Sequence, residues 1–451
     1  MPIDIVVKNA SLVIPNNQII EADIAITDGH VVSWSRAIRA AATHEIDANG
    51  KVVIPGVIDP HVHLGVFGHL EEEAETETRA AIAGGVTTLG CYVSAEGSYL
   101  DAIPEWIRSV TPHLFTDVFF HPIILADYQL NELCNYVDRL GIHSFKVYMW
   151  GFPGVVESVD DGFLLDVFNT TMECTQPPRI CVHAENPQLI KRATDKLGAQ
   201  LYSREGSLAD WEKTHPSISE SEAVTRAIFL AREVNAPLYF VHISSGESVD
   251  VLKMSKTDNI SVETTSPYLS VDITDRCGIL GKMVPPLRRR EDIDRLWEAA
   301  REGVIDTIGT DNTTLTAAEK QADESIWKAV PGYAVLATHL PVLIEEGYHK
   351  RGIPLPQLIG LVTENPAKLF GLYPKKGALL PGSDADLVIL DLDLMRVVHA
   401  SSLPSRSDFS LYEGKSLRGW PTTVIKSGHI VYENGQIDTS LRGLGRSLEF
   451  S

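Results

Sequence analysis

The sequence predicts an α/β chain: a closed parallel (β/α)8 barrel of TIM-like form in its middle, and a small discontinuous β-sandwich unit built from its two ends. Three observations predict it. Eight short apolar segments alternate with helix-like segments between residues 58 and 311, the pattern of strand–helix repeats with parallel strands. Strand-like segments separated by turn residues occupy both ends of the chain. Residues able to ligate a metal recur where the central strands end. A doubly wound open sheet is the alternative arrangement of the same repeats.

Taken in order, residues 3–7, 11–14 and 22–26 read as short strands, with Asn16-Asn17 and Asp28-Gly29 as turns. Residues 385–390, 422–426 and 430–432 repeat the pattern at the other end, with Asn434-Gly435 as a turn. Neither group is long enough to hold a core alone, so the two are expected to pack together, as one unit of residues 1–54 and 373–451 around a barrel of 55–372. The apolar run from Val52 continues through Gly56 into 58–63, the first barrel strand. A helix over 71–83 follows, ended by Gly84-Gly85 before strand 86–89. Strands are then expected over 118–125, 144–149, 179–183, 238–242, 260–264 and 304–311. Helices are expected over 130–140, 163–171, 220–234, 248–254 and 293–301.

Composition narrows the function. A hydrophobic share of 44% and a charged share of 22% are ordinary for a globular chain. Lys and Arg total 39 against 60 Asp and Glu, a net charge of −21 that repels phosphate backbones, so no nucleic-acid partner is expected. No apolar run approaches the roughly 20 residues that span a bilayer, and Met1-Pro2-Ile3-Asp4 opens no basic region followed by an apolar core, so no signal peptide is expected. The five cysteines are scattered, without a Cys-x-x-Cys pair. The expectation is a cytoplasmic chain with no membrane partner, its cysteines reduced and serving as small core residues.

The chemistry lies at strand ends, which in such a barrel carry the active site. His61 and His63, two apart on a strand, leave it on the same side and suit one metal ion. Lys146 stands alone between Phe145 and Val147, which point the other way. A buried, unpaired ammonium costs several kcal/mol, so this lysine needs a reason to be there. His183 and His242 end later strands and Asp311 the last. Each alone reads as a satisfied core residue, a turn residue or a cap. Six on one rim do not.

These residues resemble the amidohydrolase superfamily, in its cyclic-amide branch of hydantoinase, dihydropyrimidinase, allantoinase and dihydroorotase. The resemblance rests on Pro55-Gly56-Val57-Ile58-Asp59-Pro60-His61-Val62-His63, Phe145-Lys146-Val147-Tyr148-Met149, Val182-His183-Ala184-Glu185-Asn186, Val241-His242-Ile243-Ser244-Ser245, Pro285-Pro286-Leu287-Arg288 and the stretches 363–372 and 382–388. It implies two divalent ions. His61, His63 and Asp311 hold one, and His183 and His242 the other. Lys146 bridges them as a carbamate (N6-carboxylysine), whose two oxygens can span ions about 3.5–4 Å apart. It also implies attack on an amide by a metal-bridging hydroxide, with Asp311 as the catalytic proton shuttle. Zinc is the expected metal, with manganese, cobalt and iron as alternatives. A homodimer or homotetramer is implied by the same resemblance.

The chain departs from its relatives where they recognise substrate. The tyrosine usual five residues after the bridging lysine is Gly151, followed by Phe152. The serine before Pro-Pro-Leu-Arg is Val284, and the asparagine before a later Pro-Gly is missing from 327–332. The histidine common after the last ligand is Asn312. Tyr148, Phe152, His69, Asn312, Lys328 and Tyr333 are the candidates to bind substrate in their place. The expected reaction is hydrolysis of a small-molecule cyclic amide or imide. The alternatives are hydrolysis of an acyclic amide, carbamate or lactone on the same site, and a non-catalytic scaffold, against which the six retained ligand positions argue.

Overall fold

A computed structural model describes residues 3–448 except 153, 155 and 199–204. At its centre, parallel strands Val57–His63, Val86–Val93 and Asp117–Pro122 form one run, and Ser144–Tyr148, Arg179–His183, Leu238–Phe240, Ile260–Thr265 and Thr307–Gly309 form another. The runs meet on both sides. Ile123 bridges Lys146 in parallel, and Asn312–Thr313, just past the eighth strand, pairs with Val62 and His63 of the first. The eight strands therefore surround one interior as a TIM barrel. Phe370, beside Phe119 and Tyr239, packs into that interior below the strand ends.

Most expected elements hold, and the differences have local causes. The expected helix 130–140 is two helices, Asp127–Asn131 and Leu133–Leu140, broken at Glu132. The sixth and eighth strands stop before His242 and Asp311, because both residues take left-handed backbone angles, φ 42° and 55°. Polar residues in that conformation are uncommon and concentrate at functional sites.

The terminal strands form one nine-stranded mixed sheet. Its order runs Gln436–Ile437, His429–Glu433, Ser416–Lys426, Leu387–Val397, Val52–Pro55, Ile3–Ile14, Gln18–Thr27, His30–Ser35, with Ala42–Asp47 also paired to the third-from-last. The expected strands 3–7 and 11–14 are one strand with a bulge between Val7 and Ala10, where Asn9 is left-handed. The sheet closes on itself: Val31 N–H donates to Ser383 O, and Ala385 N–H donates to Gly29 O. The enclosed side holds Ile24, Ile26, Leu387 and Ile425, while Val388, Val424 and Val431 of the other side join the barrel's core. Gly56 is the junction between sheet and barrel. A Cβ there would lie 2.1 Å from Thr87 Oγ1, so only glycine lets Val52–Pro55 pair with the sheet while Val57–His63 enters the barrel.

A buried ionic cluster ties sheet, barrel and carboxyl-terminal segment together. Lys376 and Lys426 face Asp117 at the start of the third barrel strand, together with Asp384 and Asp386. Arg446 reaches Asp384 from the tail. Burial opposes ionisation of Asp117, but the ammoniums of Lys426 and Lys376 override it and bring its pKa down to about 2.

One expectation is corrected. Cys134 and Cys174 form a disulfide joining the end of helix Asp161–Glu173 to helix Leu133–Leu140. Their 40-residue separation hid that proximity. Cys91, Cys181 and Cys277 are free thiols, the first two buried. Among the described residues, no helix is long and apolar enough to cross a membrane.

Candidate metal centre

His61 and His63 leave the first strand side by side, as the two-residue period requires. Asp311 meets both: its Oδ1 lies 3.2 Å from His61 Nε2 and 3.3 Å from His63 Nε2. These three donors lie close enough to hold one ion. On the far side, His183 Nδ1 lies 3.0 Å from His242 Nε2. His61 and His242 stack with ring centres 5.4 Å apart, which joins the two groups. Lys146 sits between the rings of Tyr92 and Tyr148, 4.8 and 4.7 Å from their centres.

The protonation states suit cation binding. Burial holds His61 and His242 well below the usual imidazole range and brings His183 down to about 3. All three are therefore neutral rings with a free lone pair. Burial also lowers the Lys146 ammonium to about 8. Lys146 Nζ and His61 Nε2 are buried without a hydrogen-bond partner. Two orphaned nitrogens beside an aspartate and three more imidazoles are a donor set that divalent ions satisfy. They fit a metal pair, with Lys146 able to join it once its charge is removed.

Buried carboxylates around the rim orient these ligands, and the sequence reading missed them. Glu263 accepts from His61 Nδ1–H at 2.7 Å and from His242 N–H at 3.0 Å. That fixes the His61 tautomer and turns Nε2 to the site. Tyr239 O–H donates to the same carboxylate at 2.8 Å. Glu185 lies 2.9 Å from His183 Nε2 and plays the matching part there. Asp59 accepts from the backbone N–H of His61 and Thr310 and from the Thr310 hydroxyl, tying the first strand to the last. Glu220 accepts from the N–H and hydroxyl groups of Ser244 and Ser245, holding the turn after His242. An ionisable residue inside an apolar strand was the available signal. It singled out Lys146; Glu263 shares its strand with Ser261, Thr264 and Thr265, where a charge stands out less.

A cavity of about 290 Å³ opens above these donors. Tyr148 and Phe152 line it, as expected of binding residues; Trp150 does too. Gly151 cannot carry a side chain, because a Cβ there would lie 2.2 Å from Val156 O. Val284 faces the cavity from the opposite loop. Four candidates are not brought to it. His69 is exposed at the start of helix Leu70–Ala83. Lys328 is exposed and paired with Glu324 one turn away. Asn312 is buried and structural: its Oδ1 accepts from Val335 N–H at 2.8 Å and its Nδ2–H donates to Thr314 Oγ1 at 3.0 Å. Tyr333 is buried outside the cavity lining.

Comparison with known proteins agrees with this geometry. Residues 179–431 match the profile described as "Amidohydrolase family". The chain is 34% identical to an L-hydantoinase of Paenarthrobacter aurescens, covering 96% of this chain and 95% of that one. It is 32% identical to a D-hydantoinase of Ralstonia pickettii, with 96% of each covered. Among solved structures, L-hydantoinase (dihydropyrimidinase) from Arthrobacter aurescens superposes with a TM-score of 0.92 at 32% identity, covering 99% of this chain and 100% of that one.

Proposed function

The chain belongs to the amidohydrolase family, in its cyclic-amide branch, and from that premise we propose that it hydrolyses a C–N bond of a small cyclic amide or imide. The observation that carries the proposal is the convergence of His61, His63, His183, His242, Asp311 and the unpartnered Lys146 at the floor of one cavity. In this reading His61, His63 and Asp311 would hold one divalent ion and His183 and His242 a second, and Lys146, as a carbamate, would supply anionic oxygens to the pair. When bound, the ions activate water and polarise the scissile carbonyl. Imidazole donors favour zinc, with manganese, cobalt or iron as the alternatives.

The chain's own residues do the rest. Glu263 and Glu185 hold His61 and His183 in the ring orientations that present Nε2 and Nδ1 to the site. Asp311, within reach of both first-strand histidines and held at the cavity floor by its left-handed backbone, takes the proton of the attacking water. It then returns that proton to the leaving nitrogen. Tyr148 forms the wall beside Lys146 and keeps bulk water from it.

The domain division at residues 54/55 and 372/373 and a homodimeric or homotetrameric assembly complete the proposal. The Cys134–Cys174 bridge weighs against a reducing compartment. The test is a hydrolysis screen of metal-loaded protein against hydantoins, dihydropyrimidines, allantoin, cyclic imides, lactams and acyclic amides. Turnover confined to acyclic amides, carbamates or lactones would replace the proposal with its alternative.

A further inference from the structure

A second pocket lies where the barrel meets the sheet. Its lining comes from helix Leu70–Ala83 and from strands Leu387–Val397, Ser416–Lys426 and His429–Glu433. We propose that it binds a small organic carboxylate, with the oxygens on Arg79 and Arg396 and the hydrocarbon body on the apolar part of the lining.

Charge is the first ground. The chain holds 39 Lys and Arg against 60 Asp and Glu, so a basic group ordinarily has a carboxylate near it. Two other surface cavities, one beside His30 and one beside Ser270, mix basic groups with several carboxylates. This lining has two guanidiniums and no carboxylate. Among the described residues the Arg79 side chain makes no hydrogen bond or ion pair, and its Nε–H is buried without a partner. An arginine on a helix surface is ordinarily solvated and needs no ligand. Arg79 differs because part of its guanidinium is out of water and unpaired, which costs stability until an acceptor arrives. Arg396 makes one hydrogen bond, from Nη1–H to the Tyr432 hydroxyl at 3.1 Å, and lies 5.3 Å from the centre of the Trp420 ring. Its other N–H groups remain for a ligand.

The rest of the lining sets the class of anion. The planar guanidinium fork matches carboxylate and phosphate alike. Ala83, Leu403, Pro404 and Ile437 offer only hydrocarbon to what lies beside the fork. Trp420 adds a ring whose Nε1–H is already given to Leu417 O at 2.8 Å. Such a surface suits an anion with a short apolar body, which inorganic phosphate lacks. A volume of about 180 Å³ is small beside the roughly 300–1,000 Å³ of drug-sized sites, so a short acid fits and a nucleotide does not.

The test is protection of arginines from phenylglyoxal in the metal-loaded chain, read by peptide mass spectrometry with butyrate, benzoate or inorganic phosphate present. Labelling at Arg79 and Arg396 reports this pocket and not the metal centre. Butyrate and benzoate are expected to protect both arginines, at concentrations about tenfold below those phosphate requires. Arg79→Met strands no partner, so the variant is expected to fold. In it, half-protection of Arg396 should need about tenfold more butyrate or higher, the worth of a charge-assisted hydrogen bond. Arg79→Lys, which keeps the charge without the fork, should recover part of that loss. Absence of protection by either carboxylate, protection of Arg396 unchanged in Arg79→Met, or phosphate as effective as butyrate would each overturn the proposal.

Discussion

Removing the Glu263 carboxylate separates ligand orientation from mere burial. Its two oxygens serve three donors: His61 Nδ1–H, His242 N–H and the Tyr239 hydroxyl. In Glu263→Ala, Tyr239 keeps Thr307 Oγ1 at 2.6 Å, but the other two donors are stranded. Each buried orphan costs about 1–3 kcal/mol, so the apo protein should lose about 2–6 kcal/mol. With the His61 ring freed, metal affinity should fall by about 10–100-fold. Glu263→Gln differs. Its one oxygen, turned toward His61 and His242, still accepts from both. Its amide nitrogen then faces Tyr239, whose oxygen can accept from it while its hydrogen goes to Thr307. Only the charge assistance is lost, about 1 kcal/mol, or roughly fivefold in metal affinity. Competition with a chromophoric chelator reads the affinity, and unfolding of chelator-treated protein reads the structural cost. Wild-type affinity in Glu263→Ala, or a glutamine variant as damaged as the alanine one, would refute this reasoning.

Three further outcomes follow from the same structure. Asp311→Asn should lose about 10²–10⁴ in turnover, with metal content assayed alongside; normal turnover on a verified substrate would place the proton shuttle elsewhere. Asp117, depressed to about 2 in the folded chain from an ordinary 3.8, contributes stability that is present above pH 4 and lost as pH falls toward 2. The worth is about 2 kcal/mol, so Asp117→Asn should flatten that acid limb of the unfolding curve, and an unchanged limb would deny the cluster its role. Alkylation of denatured, unreduced protein should label Cys91, Cys181 and Cys277 but neither Cys134 nor Cys174. Cys134→Ser should then cost up to about 4 kcal/mol for a loop of 40 residues; five labelled thiols would remove the bridge.

The sequence made the site's floor legible because strand ends concentrate chemistry. His61, His63, Lys146, His183, His242 and Asp311 each stand at or near the end of an apolar run, and the fold brings them together. The residues that orient them were hidden by their company. Glu263 lies in a strand that also carries Ser261, Thr264 and Thr265, so its charge did not stand out. Glu220 sits on a helix, where a glutamate normally faces solvent, yet it is buried. Candidates chosen by proximity in sequence to a motif fared worse. His69 and Lys328 are exposed, and Asn312 is spent on the backbone of Val335. His69 and Lys328 lie outside the strands, and loop paths follow from tertiary contacts such as Gly151 against Val156 that no periodicity encodes.

Whether Lys146, fully buried without a hydrogen-bond partner between two tyrosine rings, carries a carbamate decides the two-metal site. The direct measurement is metal stoichiometry with ¹³C NMR on protein prepared in labelled bicarbonate. Wild type should carry about two ions per chain and a lysine carbamate carbon resonance. Lys146→Ala should lose that resonance, the metal pair and the activity, and added short carboxylic acids should restore part of the last two. Wild-type protein holding two ions at full activity with no carbamate signal would contradict it.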